Sequence, residues 1–230
     1  MRLAVIPARG GSKRIPRKNI KEFCGKPMIA WSIEAAIESG LFDRVVVSTD
    51  DAEIAVIAEQ YGAQVPFVRP TSLADDHTGT IPVVSHTIQW FRDQGLPPDQ
   101  VCCLYATAPF VRAVDIQRGL DLLTSTNSDY AFSVTSYPFP IQRAIRLTPQ
   151  GRVAMFNPEL FNTRSQDLEE AYHDAGQFYW GRADAWVEGR LIFSTESAPV
   201  VLPRYRVQDI DTLEDWERAQ WLFKTLLAQE

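Results

Sequence analysis

The sequence predicts an α/β domain built on a mainly parallel sheet, with a small hairpin-containing insertion late in the chain. Three observations carry this. Short apolar runs rich in valine and isoleucine alternate with segments of helical period; a glycine-rich basic loop follows the first such run; and the alternation breaks once, between about residues 142 and 174. The 230 residues, 45% hydrophobic and 23% charged, suit one domain with a sizeable core, so residues 1–230 are read as a single unit.

Leu3–Pro7 reads as a first buried strand. After Pro27, apolar residues at Ile29, Trp31, Ile33, Ala36 and Ile37 follow a helical period that Ser39-Gly40 stops. Arg44–Ser48 is the second strand, Asp51–Tyr61 a helix closed by Gly62, and Ile81–Asp93 another helix. Val101–Tyr105 is a further buried strand, and Val114–Leu123 with Tyr130–Val134 repeats the helix-strand rhythm. Gln142–Leu147 and Arg152–Phe156 then flank Thr148-Pro149-Gln150-Gly151 like the arms of a hairpin. Strands at Phe178–Trp180 and Pro199–Leu202 return to the sheet, and Thr212–Leu227 forms a terminal amphipathic helix.

Composition narrows the functional classes. Cys24, Cys102 and Cys103 form no disulfide framework and no zinc spacing, which favours a reduced, cytoplasmic protein. The apolar run at the N-terminus is too short for a signal core or a membrane span. A net charge of -6 disfavours general nucleic-acid binding. Against that acidic background Arg9, Lys13, Arg14, Arg17, Lys18, Lys21 and Lys26 are opposed locally only by Glu22, so this segment is a candidate anion site.

The loop Ile6-Pro7-Ala8-Arg9-Gly10-Gly11-Ser12-Lys13-Arg14-Ile15-Pro16-Arg17-Lys18-Asn19 lies between strand and helix, where open α/β sheets place ligands. Its glycines allow backbone N–H groups to approach phosphate oxygens, and its cations neutralise charge. It is neither a Walker A loop nor a dinucleotide fingerprint. This string resembles the signature of the CMP-acidic-sugar synthetases, a family with a Rossmann-like nucleotidyltransferase domain. Similarity to the pseudaminic acid cytidylyltransferases within it extends through Asn19–Ser32, Val46–Asp51, Arg69–Pro82, Leu104–Phe110, Gly176–Gly181 and Asp209–Trp216. The resemblance implies a CTP triphosphate held by Arg9, Gly10, Gly11, Ser12, Lys13 and Lys18, with Asn19 near the ribose. It implies a cytosine pocket around Ala8, Arg69, Thr78 and Thr80. From the residues alone, Arg69 reads equally as a solvent-facing strand-end arginine, and Thr78-Gly79-Thr80 as a helix cap.

A second constellation is Asp209-Ile210-Asp211, where a spacing of two on an extended strand puts both carboxylates on one face. Two carboxylates with phosphate oxygens and water suit Mg2+. For Asp211, an N-terminal cap on the last helix is the competing reading. The resemblance places metal-binding aspartates in this motif, which makes Arg9, Lys13, Asp209 and Asp211 the expected catalytic set. Asp50-Asp51 reads as a cap of the following helix and is left outside the metal site.

For the acceptor, an acidic nine-carbon sugar, the candidates are Tyr105, Arg112, Gln177 and Tyr179, with Gln177 and Tyr179 on one strand face. His173 reads as an exposed turn histidine or an acceptor contact; His77 and His86 have weaker claims. In Tyr172-His173-Asp174-Ala175-Gly176-Gln177-Phe178-Tyr179-Trp180-Gly181, His173 and Gln177 depart from the Arg-x-Asn-Gly pattern to which sialic-acid synthetases are similar. Transfer of CMP to pseudaminic acid is therefore expected. The alternatives are a CMP-N-acetylneuraminate or CMP-legionaminate synthetase and, in another class, a nucleotide-binding regulatory protein without turnover. The resemblance also implies that the insertion at about 142–174 pairs two subunits.

Overall fold

The computed structural model describes residues 1–228. In chain order its elements are β1 (Arg2–Pro7), β2 (Glu22–Phe23), β3 (Lys26–Pro27), α1 (Met28–Glu38), β4 (Arg44–Ser48), α2 (Ala52–Gln60), α3 (Thr80–Asp93) and β5 (Gln100–Leu104). There follow α4 (Ala113–Thr126), β6 (Tyr130–Ser136), β7 (Ile145–Leu147), β8 (Val153–Met155), β9 (Tyr172–Arg182), α5 (Ala183–Glu188), β10 (Ser197–Val201) and α6 (Leu213–Leu227). The main sheet has the order β10-β6-β9-β5-β1-β4. Within it β1 runs parallel to β4 and β5, β10 runs parallel to β6, and β9 is antiparallel to both of its neighbours.

Alternation along each strand divides the core between the two faces of the sheet. Ala4, Ile6, Leu104, Phe178 and Trp180 pack with Ile29 and Ile33 of α1 and Ile116 and Leu120 of α4. Leu3, Val5, Val101, Cys103 and Tyr179 pack against Val84, Ile88 and Phe91 of α3 and Trp186 of α5. Both faces are covered, which is why the strands read as continuous apolar runs. A third cluster joins Ile15, Phe23, Met28, Phe110, Ile210, Trp216 and Phe223, and so fastens the basic loop to the start of α6.

Two elements differ from expectation. β9 runs for 11 residues, not three, because Tyr172–Gln177 is too polar to show an apolar period and is broken by Gly176 at φ 61°. The pairing of β9 with β6 shifts register there, between Phe132 and Val134. The insertion is correspondingly displaced towards the N-terminus, occupying residues 137–171 between β6 and β9. Ser136 pairs with Tyr172 and the Tyr137 N–H donates to Ala171 O at 3.0 Å, so the excursion leaves and rejoins the sheet at one point. His173 and Asp174 belong to the sheet, while the expected hairpin is present as β7 and β8.

Candidate active site

The loop after β1 lies at the carboxyl ends of β1, β4 and β5, where it borders a cavity of about 510 Å³. Arg9, Ser12, Lys13, Lys18, Asn19, Arg69, Thr78, Thr80 and Tyr105 all line this cleft. Residues from four separated stretches of the chain, each singled out from sequence, thus converge.

The loop is held from below. The Ala8 N–H donates to Ser48 O at 2.9 Å, the Gly10 N–H to Asp50 Oδ1 at 3.0 Å, and Asn19 Nδ2 to Arg9 O at 2.9 Å. Gly10 passes so close to Asp51 that a Cβ there would meet its carboxylate at 2.5 Å, so no larger residue fits without displacing it. Ala8 is buried beneath the cleft and Gly11 is exposed on the loop. Asp51 caps α2, accepting from the N–H groups of Glu53 and Ile54 at 3.0 Å, as its position suggested. It also pairs with Arg17, whose guanidinium holds its carboxyl below the usual range.

Sequence reasoning missed Asp76. Its carboxylate pairs with Arg9 at 2.6 Å and with Lys13, while Arg9 Nη1 also donates to Asp75 O at 3.1 Å. Lys13 and Arg9 together hold the Asp76 carboxyl down to about 2. An anionic oxygen group therefore already sits between the two cations expected to bind phosphate, which demonstrates their reach. The adjacent acids Asp75-Asp76, just ahead of Thr78, were the available signal.

Arg69 is not solvent-facing. It is 4% exposed, its Nε donates to Ser48 Oγ at 3.1 Å, and its Nη2 donates to Ser48 O. Burial lowers its pKa to about 10, so it is still a cation at neutral pH. Among the described residues no carboxylate forms a salt bridge with it. A buried charge bonded only to neutral groups and bordering a cleft calls for an acceptor from the ligand.

Asp209 and Asp211 lie in an unpaired segment before α6 and not on a strand; Ile210 is buried between them, which still turns both carboxylates away from the core. Asp211 is not the helix cap. Thr212 is, in a capping box with Asp215, and this leaves the Asp211 carboxylate to pair with Arg14 at 2.8 Å and Lys18 at 3.5 Å. Lys18 also donates to Ile210 O at 2.6 Å and lines the cleft, which ties the acidic pair to its wall. Burial and the nearby Asp211 charge raise the pKa of Asp209. Two carboxylates that repel one another, with Asp215 close by and Lys18 as the balancing cation, are the kind of oxygen donors a divalent cation takes together with phosphate oxygens.

The acceptor candidates separate. Tyr105 lines the cleft, its hydroxyl 3.1 Å from Thr80 Oγ1, and its ring packs against Tyr179 with centroids 5.2 Å apart. Gln177 does not share that face. The register shift at Gly176 turns its amide to donate to Arg206 O at 2.6 Å, beside the buried Arg206–Asp115 pair, and its Oε1 lacks a hydrogen-bond partner. Arg112 lies at the N-cap of α4 and borders a separate groove with Trp31, Glu34 and Phe223. His173 packs against Tyr137, and His86 packs against Phe67 with its pKa lowered by burial and by Arg69.

Comparison with known proteins agrees with this geometry. The profile of the family described as Cytidylyltransferase matches residues 3–193. The chain is 48% identical to a pseudaminic acid cytidylyltransferase of Campylobacter jejuni over 222 residues, 96% of each chain. It is 34% identical to a CMP-N,N'-diacetyllegionaminic acid synthase of Legionella pneumophila, again over 96% of each. Among solved structures, CMP:2-keto-3-deoxy-manno-octonic acid synthetase complexed with CTP superposes with a TM-score of 0.70 at 17% identity, covering 97% of this chain and 98% of that one, which bears on the fold alone. With the profile spanning most of the domain and a cleft built from the loop that defines the resemblance, the chain belongs to the cytidylyltransferase family.

Proposed function

We propose that this protein transfers CMP from CTP to the anomeric hydroxyl of pseudaminic acid, releasing pyrophosphate. The observation that carries the reading is the pair Arg9 and Lys13, already clasping an anionic carboxylate at the mouth of a cleft whose inner wall holds the buried cation Arg69. Exchange of Asp76 for phosphate would let Arg9 and Lys13 neutralise charge on the departing pyrophosphate, and Arg69 would hold the pyrimidine end. Orientation and charge stabilisation then supply the catalysis. Asp209 and Asp211 would hold Mg2+, which when bound draws charge from the α-phosphate. Tyr105 and Tyr179 would form the aromatic side of the sugar site; at 48% against 34% identity, the relatives favour pseudaminic over legionaminic acid.

The excursion between β6 and β9 exposes Phe139 at 79%, Leu147 at 78% and Phe161 at 63%. An apolar projection of this kind supports a homodimer contact; a monomer by light scattering at micromolar concentration would remove it. No described helix is long and apolar enough to cross a membrane, in keeping with action in the cytoplasm. The catalytic reading is tested by pyrophosphate release with CTP, magnesium and acidic sugars. Turnover is expected, falling at least about tenfold in Lys13→Ala; CTP binding without turnover on any sugar would leave the regulatory alternative.

A further inference from the structure

The adjacent acids ahead of α3 are used in opposite ways. Asp75 is spent on its own turn: its Oδ1 accepts from the His77 N–H at 3.0 Å, from the Thr78 N–H at 2.7 Å and from Thr78 Oγ1 at 2.6 Å. Asp76 contributes nothing to that turn. Its Oδ1 accepts from Arg9 at 2.6 Å and its Oδ2 from Lys13, and among the described residues these are its only hydrogen-bond partners. Thr78 and the start of α3 are therefore held in place without the Asp76 carboxylate.

The pairing also does little for the fold. Asp76 is 37% exposed and Lys13 79%, and ion pairs so open to water typically favour the paired arrangement by a fewfold at most. What the carboxylate does occupy is a ligand's place. Its two oxygens sit on the two cations that the proposed reaction needs for the outer phosphates of the nucleotide, and all three side chains line one cleft. A phosphate group bound by both Arg9 and Lys13 takes the positions of Asp76 Oδ1 and Oδ2, so carboxylate and phosphate exclude one another. Affinity for a ligand is reduced in proportion to the fraction of molecules whose site is free. Once displaced, Asp76 remains tethered beside the bound polyanion and repels it, which acts in the same direction.

We propose that Asp76 is a built-in competitor for the triphosphate subsite: it holds Arg9 and Lys13 while the cleft is empty, weakens binding of CTP and pyrophosphate alike, and returns to the same cations as pyrophosphate leaves. The inference rests on the cytidylyltransferase reading and adds a sign to it. Removing an acid that merely orients Arg9 and Lys13 would loosen the nucleotide, whereas removing a competitor tightens it. The effect belongs to ligands that reach those cations, so CMP, which lacks the outer phosphates, should feel it least. Because the charges are open to solvent, salt should diminish it.

The test is calorimetric titration of pyrophosphate, CTP and CMP, each with magnesium and without sugar, into wild type, Asp76→Asn and Asp76→Ala. Both variants should bind pyrophosphate and CTP at least about threefold more tightly than wild type, the scale of an exposed pair that no longer has to be broken. CMP should gain less, and the advantage of the variants should narrow at raised salt. Unchanged or weaker binding of pyrophosphate in folded Asp76→Asn overturns the proposal, as does an equal gain for CMP. Should one variant not fold, the other decides by the same criterion. Wild type that binds pyrophosphate but not CTP would overturn the nucleotide reading, and the pyrophosphate affinities would still decide the role of Asp76.

Discussion

Replacing Arg69 by methionine separates function from fold at the centre of the cleft. The guanidinium is 4% exposed and makes two hydrogen bonds, both to Ser48. Ser48 O keeps a second donor, the Ala8 N–H at 2.9 Å, so the carbonyl is not orphaned by the change. Only Ser48 Oγ loses a partner, at a cost of about 1 kcal/mol, and loss of a desolvated charge offsets part of that. For a domain of this size, about 1 kcal/mol corresponds to a melting shift of roughly 2–4 °C. A charged hydrogen bond from Arg69 to the nucleotide contributes about 1.5–3 kcal/mol, so kcat/KM for CTP should fall roughly tenfold to a hundredfold. Steady-state pyrophosphate release at varied CTP, with a thermal melt on the same preparation, measures both. A large fall in melting temperature with an unchanged KM for CTP would show that Arg69 serves the fold alone.

Asp211→Asn should weaken activation by magnesium while leaving the melting temperature nearly unchanged, because Thr212 and Asp215 cap α6 without it; a magnesium titration and a melt check the two halves. Asp51→Ala should lower stability by about 1–2 kcal/mol, from the lost cap and its half-exposed pair with Arg17, and is read by urea denaturation. The pH dependence follows from the depressed carboxyl of Asp51. Its folded-state pKa lies below the ordinary 3.8, so its stabilisation is present above that value and lost as pH falls through the folded one. The difference between wild type and Asp51→Ala should therefore shrink below about pH 4.

The parallel strands and the basic loop were legible because their signals are local. Runs such as Val45–Val47 are apolar throughout, and the loop concentrates cations and glycines between strand and helix. Thr80 and Arg69 were legible through resemblance and Tyr105 through its place at the end of an expected strand, while their convergence required the fold. What escaped depends on contacts distant in sequence or on a break in period. Asp76 gained meaning only when the chain placed it over Arg9 and Lys13, more than sixty residues away. Gln177 was assigned to the face of Tyr179 by a period of two, which the shift at Gly176 cancels. Arg112 is carried by the turn after Thr107 to the start of α4, next to a different groove. Asp211 shows the opposite case, since a sequence that allowed either a cap or a free carboxylate folds with Thr212 as the cap.

The central claim concerns the acceptor, and it is tested most directly by specificity constants for pseudaminic acid and N-acetylneuraminate at equal CTP and magnesium. A polar group left unpaired by the wrong sugar costs about 1–3 kcal/mol, so pseudaminic acid should be preferred by roughly tenfold to a hundredfold. An equal or higher constant for N-acetylneuraminate would contradict the account and assign the protein to sialic-acid activation.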